Sequence, residues 1–181
     1  LVVVDELVGR DRVAVGHDIP IGGVAVDPSP EGLAAIRAVV AEIRRRFPKL
    51  VDIYDNTASL QDRTVTTGIL TPELARRYGA GGYVGRASGR SFDARRAACY
   101  PPYDALRFDV PVLQEGDVNA RVWIRIREVE QSLSLVEQIA DRLPSGPIRS
   151  ERFAAGEPRE GLALVEGFLG YVLAWLRLSE D

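Results

Sequence analysis

An apolar stripe of eight residues, Val118, Val122, Ile126, Val129, Leu133, Val136, Ile139 and Leu143, recurs at three- and four-residue spacings. Those spacings put all of them on one side of an α-helix of about seven turns, at about 1.5 Å rise per residue. Asp117 precedes the stripe and can accept hydrogen bonds from the free first-turn amides, while Pro144, Gly146 and Pro147 end it. A helix this long with one apolar side needs neighbours to cover that side. The pattern therefore predicts a mainly helical bundle built on one long central helix.

The remaining segments supply partners. Ser29-Pro30-Glu31 has the order of a helix start: a hydroxyl cap, a proline at the first helical position and an acid facing the positive dipole end. Leu33, Ile36, Val40, Ile43 and Phe47 then repeat with helical spacing up to Pro48, where the helix is expected to stop. Residues 50–63 read as a second helix with a break near Asn56-Thr57. Thr71-Pro72-Glu73 opens a short helix that Gly79 closes after Tyr78. Residues 13–26, with Pro20, Gly22 and Gly23 among β-branched residues, read as irregular strand and turn. Residues 162–178 read as two apolar strands around Gly167-Phe168-Leu169-Gly170. The expected organisation is an irregular strand and turn segment (1–28), a bundle core (29–143) with an extended segment (80–115), a loop (144–161) and a β-hairpin (162–181). The fold class is α+β, mainly helical.

Composition narrows the function classes. With 46% hydrophobic and 27% charged residues in 181, the chain is expected to be a folded domain with one main core. A net charge of −3 gives no electrostatic case for nucleic acid, and Arg44-Arg45-Arg46 reads as the solvated face of its helix. One cysteine makes no internal disulfide, so a cytoplasmic setting is expected. The run 162–176 falls short of the roughly 20 apolar residues a spanning helix needs. There is no methionine, and the chain is expected to be a piece of something longer.

Few residues offer chemistry of their own. The glycines of Gly79-Ala80-Gly81-Gly82-Tyr83-Val84-Gly85 follow a helix and open nothing periodic, whereas a nucleotide loop follows a strand and opens a helix, so a flexible turn is expected. His17 is the single histidine and excludes a histidine cluster. Cys99, beside Arg95 and Arg96, reads as a structural thiol. Asp93, Asp104, Asp109 and Asp117 with Arg86, Arg90, Arg95 and Arg121 are expected to form a buried ion-pair set that fixes the extended segment onto the long helix, with a direct part in proton or electron transfer as the alternative reading. Glu130, beside the stripe, reads as a solvated partner one turn from another side chain. No catalytic, cofactor-binding or metal-binding residue is assigned within the chain.

The run Arg86-Ala87-Ser88-Gly89-Arg90-Ser91-Phe92-Asp93-Ala94-Arg95-Arg96, with Tyr103-Asp104, Phe108-Asp109-Val110-Pro111-Val112 and Gly116-Asp117-Val118-Asn119-Ala120-Arg121, resembles the middle of one large-subunit family. That family is shared by membrane-bound NiFe hydrogenases, formate hydrogenlyases and the quinone-side large subunit of respiratory complex I. Gly22-Gly23-Val24, Arg63-Thr64-Val65-Thr66-Thr67-Gly68, the positions Arg125, Glu130 and Ser132, and Leu164-Val165-Glu166-Gly167-Phe168-Leu169-Gly170 extend the resemblance over residues 22–172. It implies motif positions of unassigned role at Arg86, Ser88, Gly89, Asp93, Arg95, Asp117, Arg121 and Glu130. It also implies a scaffold docked on an iron-sulfur small subunit and membrane subunits, peripherally membrane-associated on the cytoplasmic side. The parent complex would pass electrons to a NiFe centre or to quinone.

The chain departs from the family pattern in ways that matter. The two Cys-x-x-Cys pairs that hold nickel and iron in hydrogenases have no counterpart, since Cys99 stands alone. Relatives carry a basic residue where Leu169 stands and often an acid where Tyr171 stands. Two readings follow: a central portion of an oxidoreductase large subunit whose catalytic ligands lie outside this chain, or a non-catalytic interaction module derived from it. In either, the apolar tail 162–178 is a candidate surface for a homodimer.

Overall fold

The computed structural model describes residues 27–148 and 159–178. The chain forms six helices and one hairpin in this part: α1 (Pro30–Asn56), α2 (Ala58–Thr64), α3 (Pro72–Arg77), α4 (Gly82–Ala87), α5 (Ala94–Ala97), α6 (Val118–Asp141), β1 (Arg159–Gly167) and β2 (Gly170–Leu178). The architecture is mixed α+β, with long helices and a small two-stranded antiparallel sheet. The readings for residues 1–26 and 149–158, His17 included, lie outside the described residues.

Helix starts follow the expected chemistry. Ser29 Oγ accepts from Gly32 N at 3.1 Å, Thr71 Oγ1 from Leu74 N at 3.4 Å and Asp117 Oδ1 from Ala120 N at 2.7 Å. Gly79 closes α3 with a φ of 63°, the left-handed conformation that glycine adopts without a Cβ penalty. Pro48 does not end α1, contrary to the sequence expectation, and the helix continues to Asn56. A proline deletes one intrahelical bond and bends the chain, and 27 residues of helix around it tolerate that loss. The expected break at Asn56-Thr57 is where α1 yields to α2, with the Thr57 hydroxyl donating to Ile53 O at 2.5 Å.

Helix α6 packs against α1, α2 and α4. Its most deeply buried residues are Ala120, Ile124, Leu133 and Leu135, whereas Val136 of the expected stripe is 39% exposed. Leu133 is the one stripe residue among these, the other three lie beside the stripe, and most of the stripe is only partly buried. One core cluster joins Ala87, Ala120 and Ile124 with Tyr83 and Leu113. A second joins Leu106, Phe108 and Leu135 with Tyr103, Val110 and Ile139. Along its outer side α6 meets α1 through the exposed pairs Arg44–Glu137 and Arg37–Asp141, both at 2.7 Å.

Residues 80–115 are not extended throughout, because α4 and α5 form within them. The hairpin begins at Arg159 rather than 162, and α6 stops at Asp141 rather than 143. Glu166 pairs with Tyr171, and Leu162 with Trp175, across a turn closed by Gly167 and Gly170. Among the described residues no helix is long and apolar enough to cross a membrane.

The glycine run seats the hairpin tip. Gly82 has a φ of 56°, and a Cβ there would stand 2.5 Å from the carbonyl carbon of Leu169. At Gly81 a Cβ would meet the Gly170 Cα and the Tyr171 ring at 3.2 Å. The turn expected here is therefore a fitted surface, and it leads into α4. The start of α4 at Gly82 thus lies directly against the hairpin backbone at Leu169-Gly170. Gly82→Ala should lower stability in denaturant unfolding by about 1–3 kcal/mol, since it adds left-handed strain to a backbone clash. Gly161→Ala, where the added carbon meets nothing within 4 Å, should change it little.

Candidate functional site

Where α4, α5, α6 and the hairpin meet, the structure buries a cluster of charges. Arg86 lies near the end of α4, 2% exposed. Its Nη1 donates to Glu166 Oε1 of β1 at 2.8 Å and to the Phe92 carbonyl at 3.4 Å, and lies 3.5 Å from Asp93 Oδ2. Its Nη2 lies against Glu128 Oε1 of α6. One guanidinium thus touches three carboxylates from three separate segments, a use that needs the planar fork of donors arginine carries.

Each acid has further anchors. Glu166 Oε2 accepts from Ala94 N at 2.9 Å, tying β1 to the first turn of α5. Asp93 caps the same helix: Oδ1 accepts from both Arg95 N and Arg95 Nε at 2.9 Å, and Oδ2 meets Arg95 Nη2 at 2.6 Å. Burial pushes the Asp93 carboxyl up, but the hydrogen bonds and charge of Arg95, with Arg86 behind, hold it below the usual aspartate range. The Asp93 hydrogen bond in turn raises Arg95. Arg95 also lies 5.1 Å from the Phe108 ring centroid and 5.9 Å from that of Tyr103. Glu128 moves the other way, since burial raises its carboxyl and the charge of Arg86 offsets only part.

Around this cluster a rim of aromatic contacts holds the hairpin. Tyr83 and Phe168 are 5.4 Å apart between centroids, and the Arg125 guanidinium lies 3.8 Å from the Tyr83 centroid. Phe92 meets Tyr171 edge to face at 5.0 Å, and the Tyr171 hydroxyl donates to Gly79 O at 3.2 Å.

A second polar centre fixes the start of α6. Asp117 Oδ2 accepts from Thr66 N at 2.8 Å while its other oxygen caps the helix. Arg121 Nη2 donates to Gly68 O at 2.5 Å and to Gly116 O at 3.0 Å. Ser88 is fully buried beside Gly116, whose added Cβ would stand 3.1 Å from Ser88 Oγ. Gly89, with a φ of 80°, donates its N–H to Leu113 O at 2.7 Å, and a Cβ there would strike the Gln114 side chain.

Of the charges read from sequence as one set, Arg86, Asp93 and Arg95 do meet. Asp117 and Arg121 bind backbone instead of each other, and Arg90 donates to Ala80 O at 2.5 Å. Asp104 and Asp109 are exposed. Glu130 is exposed too, and Glu128, two positions earlier, enters the cluster. Sequence reasoning named Glu166 only within the Leu164–Gly170 motif, with no partner, and passed over Glu128. Glu128 follows Ala120 and Ile124 at four-residue steps on the buried face, and Glu166 is the one charge in the run 161–176. Those were the available signals. Among the described residues no group of three histidine, cysteine or acidic side chains is arranged to hold a metal ion.

Comparison with known proteins gives the family. Residues 6–164 match the family model described as the 49 kDa subunit of the respiratory-chain NADH dehydrogenase. The chain belongs to that family. It is 40% identical over 131 residues to an NADH-quinone oxidoreductase subunit from Desulfotalea psychrophila, covering 72% of this chain and 35% of the relative. It is 33% identical over 161 residues to formate hydrogenlyase subunit 5 of Escherichia coli, covering 89% and 28%. In the solved structure of the membrane-bound sulfane sulfur reductase, an archaeal respiratory membrane complex, one chain superposes with a TM-score of 0.79 at 30% identity. That match covers 86% of this chain and 44% of the other. This 49 kDa-family chain therefore spans about a third of the length of the curated relatives it matches. The resemblance read from the Arg86–Arg96 run is thereby shown.

Within this family member, the Arg86 cluster differs in energetic weight from the surface pairs. Arg86→Met strands buried carboxylates and should cost about 3–5 kcal/mol in denaturant unfolding. Arg37→Met removes a half-exposed partner of Asp141 and should cost at most about 1 kcal/mol.

Proposed function

We propose that the chain serves as the central part of the large subunit of a membrane-associated oxidoreductase of the NADH-quinone or hydrogenase type. In this reading its role is a scaffold: it docks on an iron-sulfur small subunit, meets membrane subunits through that complex, and holds the hairpin tip in place for an electron-transfer site. The observation that carries it is the Arg86 cluster, which spends a fully buried cation on fixing β1 against α4, α5 and α6. Such an arrangement sets the position of the tip Phe168-Leu169 to within the reach of short side-chain contacts. The relatives named above, a quinone oxidoreductase subunit and a formate hydrogenlyase subunit, support the class. The parent would use quinone or a NiFe centre, with iron-sulfur clusters in the small subunit and the ligands outside the residues assigned here. Peripheral attachment on the cytoplasmic side follows from those partners.

The apolar hairpin supports the same placement. Leu162, Leu173, Trp175 and Leu176 are each more than 60% exposed, on both faces of the sheet. In this proposal they are covered by further parts of the large subunit. A second copy of the chain is the competing occupant.

A non-catalytic interaction module is the second reading, favoured by the tip itself. Leu169 is 73% exposed and Phe168 66%, so the turn presents apolar surface rather than charge.

Both readings meet one test. The chain, tagged at its own locus, should be isolated from the membrane fraction together with an iron-sulfur subunit, and the preparation should show iron-sulfur electron paramagnetic resonance signals on reduction. Quinone or hydrogen turnover by that preparation supports the first reading, and the absence of turnover with the clusters intact supports the second. Recovery of the chain alone or as a homodimer, free of iron, contradicts both.

A further inference from the structure

The buried cluster does not balance its charges. Arg86 and Arg95 bring two guanidinium groups, while Asp93, Glu128 and Glu166 bring three carboxyl groups. Asp93 and Glu166 each have both oxygens engaged, on Arg95, Arg86 and the Arg95 and Ala94 amides. Glu128 is different. Its Oε1 touches Arg86 Nη2 yet is buried without a hydrogen bond, and Arg86 Nε is likewise buried with no acceptor. A largely buried carboxylate whose one ionic contact is to a guanidinium shared with two other acids is the member of such a set whose charge is least compensated.

We propose that Glu128 is a proton-binding site, a carboxyl that takes up and releases a proton inside the cluster and whose charge state sets how firmly the hairpin is held. Protonated, it leaves Arg86 and Arg95 matched by Asp93 and Glu166. Ionised, it adds a third negative charge to two guanidinium groups and repels Asp93 nearby. The groups facing it are Arg86 from α4, Asp93 and Arg95 from the start of α5, and Glu166 from β1, with the Tyr103 ring 5.9 Å from the Arg95 guanidinium. The α1 charges Arg37 and Arg44 meet α6 further along, at Asp141 and Glu137, and Asp62 and Arg63 of α2 are exposed. Every group of the site belongs to this chain, so the site stands whichever electron acceptor the parent complex uses.

The direction of the pH dependence follows from burial. A carboxyl that holds its proton more tightly when folded contributes stability in full below its unfolded value of 4.5, and that contribution is lost as pH rises through the folded value. Asp93 acts in a separate window, losing its contribution as pH falls below 3.8.

The test is a titration of the side-chain carboxyl carbons of the full chain by carbon-13 NMR, with Glu128 identified from Glu128→Asp. The proposal expects one glutamate to titrate at higher pH than the exposed glutamates. It also expects the hairpin amides to change shift with the same midpoint. Glu128→Gln, which mimics the protonated form, should fold, lose that transition and become more stable relative to the unmodified chain as pH rises. Titration of Glu128 among the exposed glutamates overturns the proposal. So does failure of Glu128→Gln to fold, because a neutral side chain of that shape is what the cluster is argued to accept.

Discussion

A buried arginine needs opposite charge close by or the fold loses several kilocalories per mole. Arg86 draws it, at its two terminal nitrogens, from Glu166 of the hairpin, Glu128 of α6 and Asp93 of the segment before α5. None of these segments is close to the others in sequence, so satisfying one guanidinium fixes the relation of three elements at once. The rest of the site follows. Asp93 caps α5 and orients Arg95, Arg95 lies beside Phe108 and Tyr103, and Glu166 is held at the depth where its second oxygen reaches Ala94 N.

Backbone fit makes that convergence possible. Gly81 and Gly82 let the hairpin turn approach to a distance that any side chain would prevent, and Gly89 lets the chain after α4 pair with Leu113. Leu113 N–H also donates to Arg86 O at 2.8 Å, so residues 86–89 and 113–116 form a short backbone strap beneath the charges. Asp117 and Arg121 fasten residues 66–68 to the start of α6 beside this strap.

The helices were legible because their signals are local. Ser29, Thr71 and Asp117 cap where a hydroxyl or carboxylate precedes a periodic run, and Gly79 stops α3 where a left-handed residue is required. The end of α1 was not legible, since Pro48 is a local stop signal that the surrounding helix overrides. Short α4 and α5 were missed because four to six residues carry too little periodicity, and their reason for existing is tertiary. The family motif was legible from Arg86, Asp93, Arg95 and Asp117. Which charges pair was not, because Glu128 and Glu166 come together only through packing of α6 and the hairpin. Periodicity placed Glu130 beside the apolar stripe as a solvated side chain, which is where it lies, but gave no sign of Glu128, because the buried face is defined by the small residue Ala120 and runs through Ile124 to Glu128.

Amide hydrogen exchange on the full chain carrying Arg86→Lys, against the unmodified chain, reads the central claim directly. A lysine keeps one charge but offers a single point of contact in place of the fork. If one guanidinium couples three elements, exchange should rise together in β1 and β2, in α5, and in the part of α6 around Glu128, while α1 and α2 keep their protection. An increase confined to α4, with the hairpin as protected as before, would contradict the account and leave the hairpin held by its aromatic contacts alone.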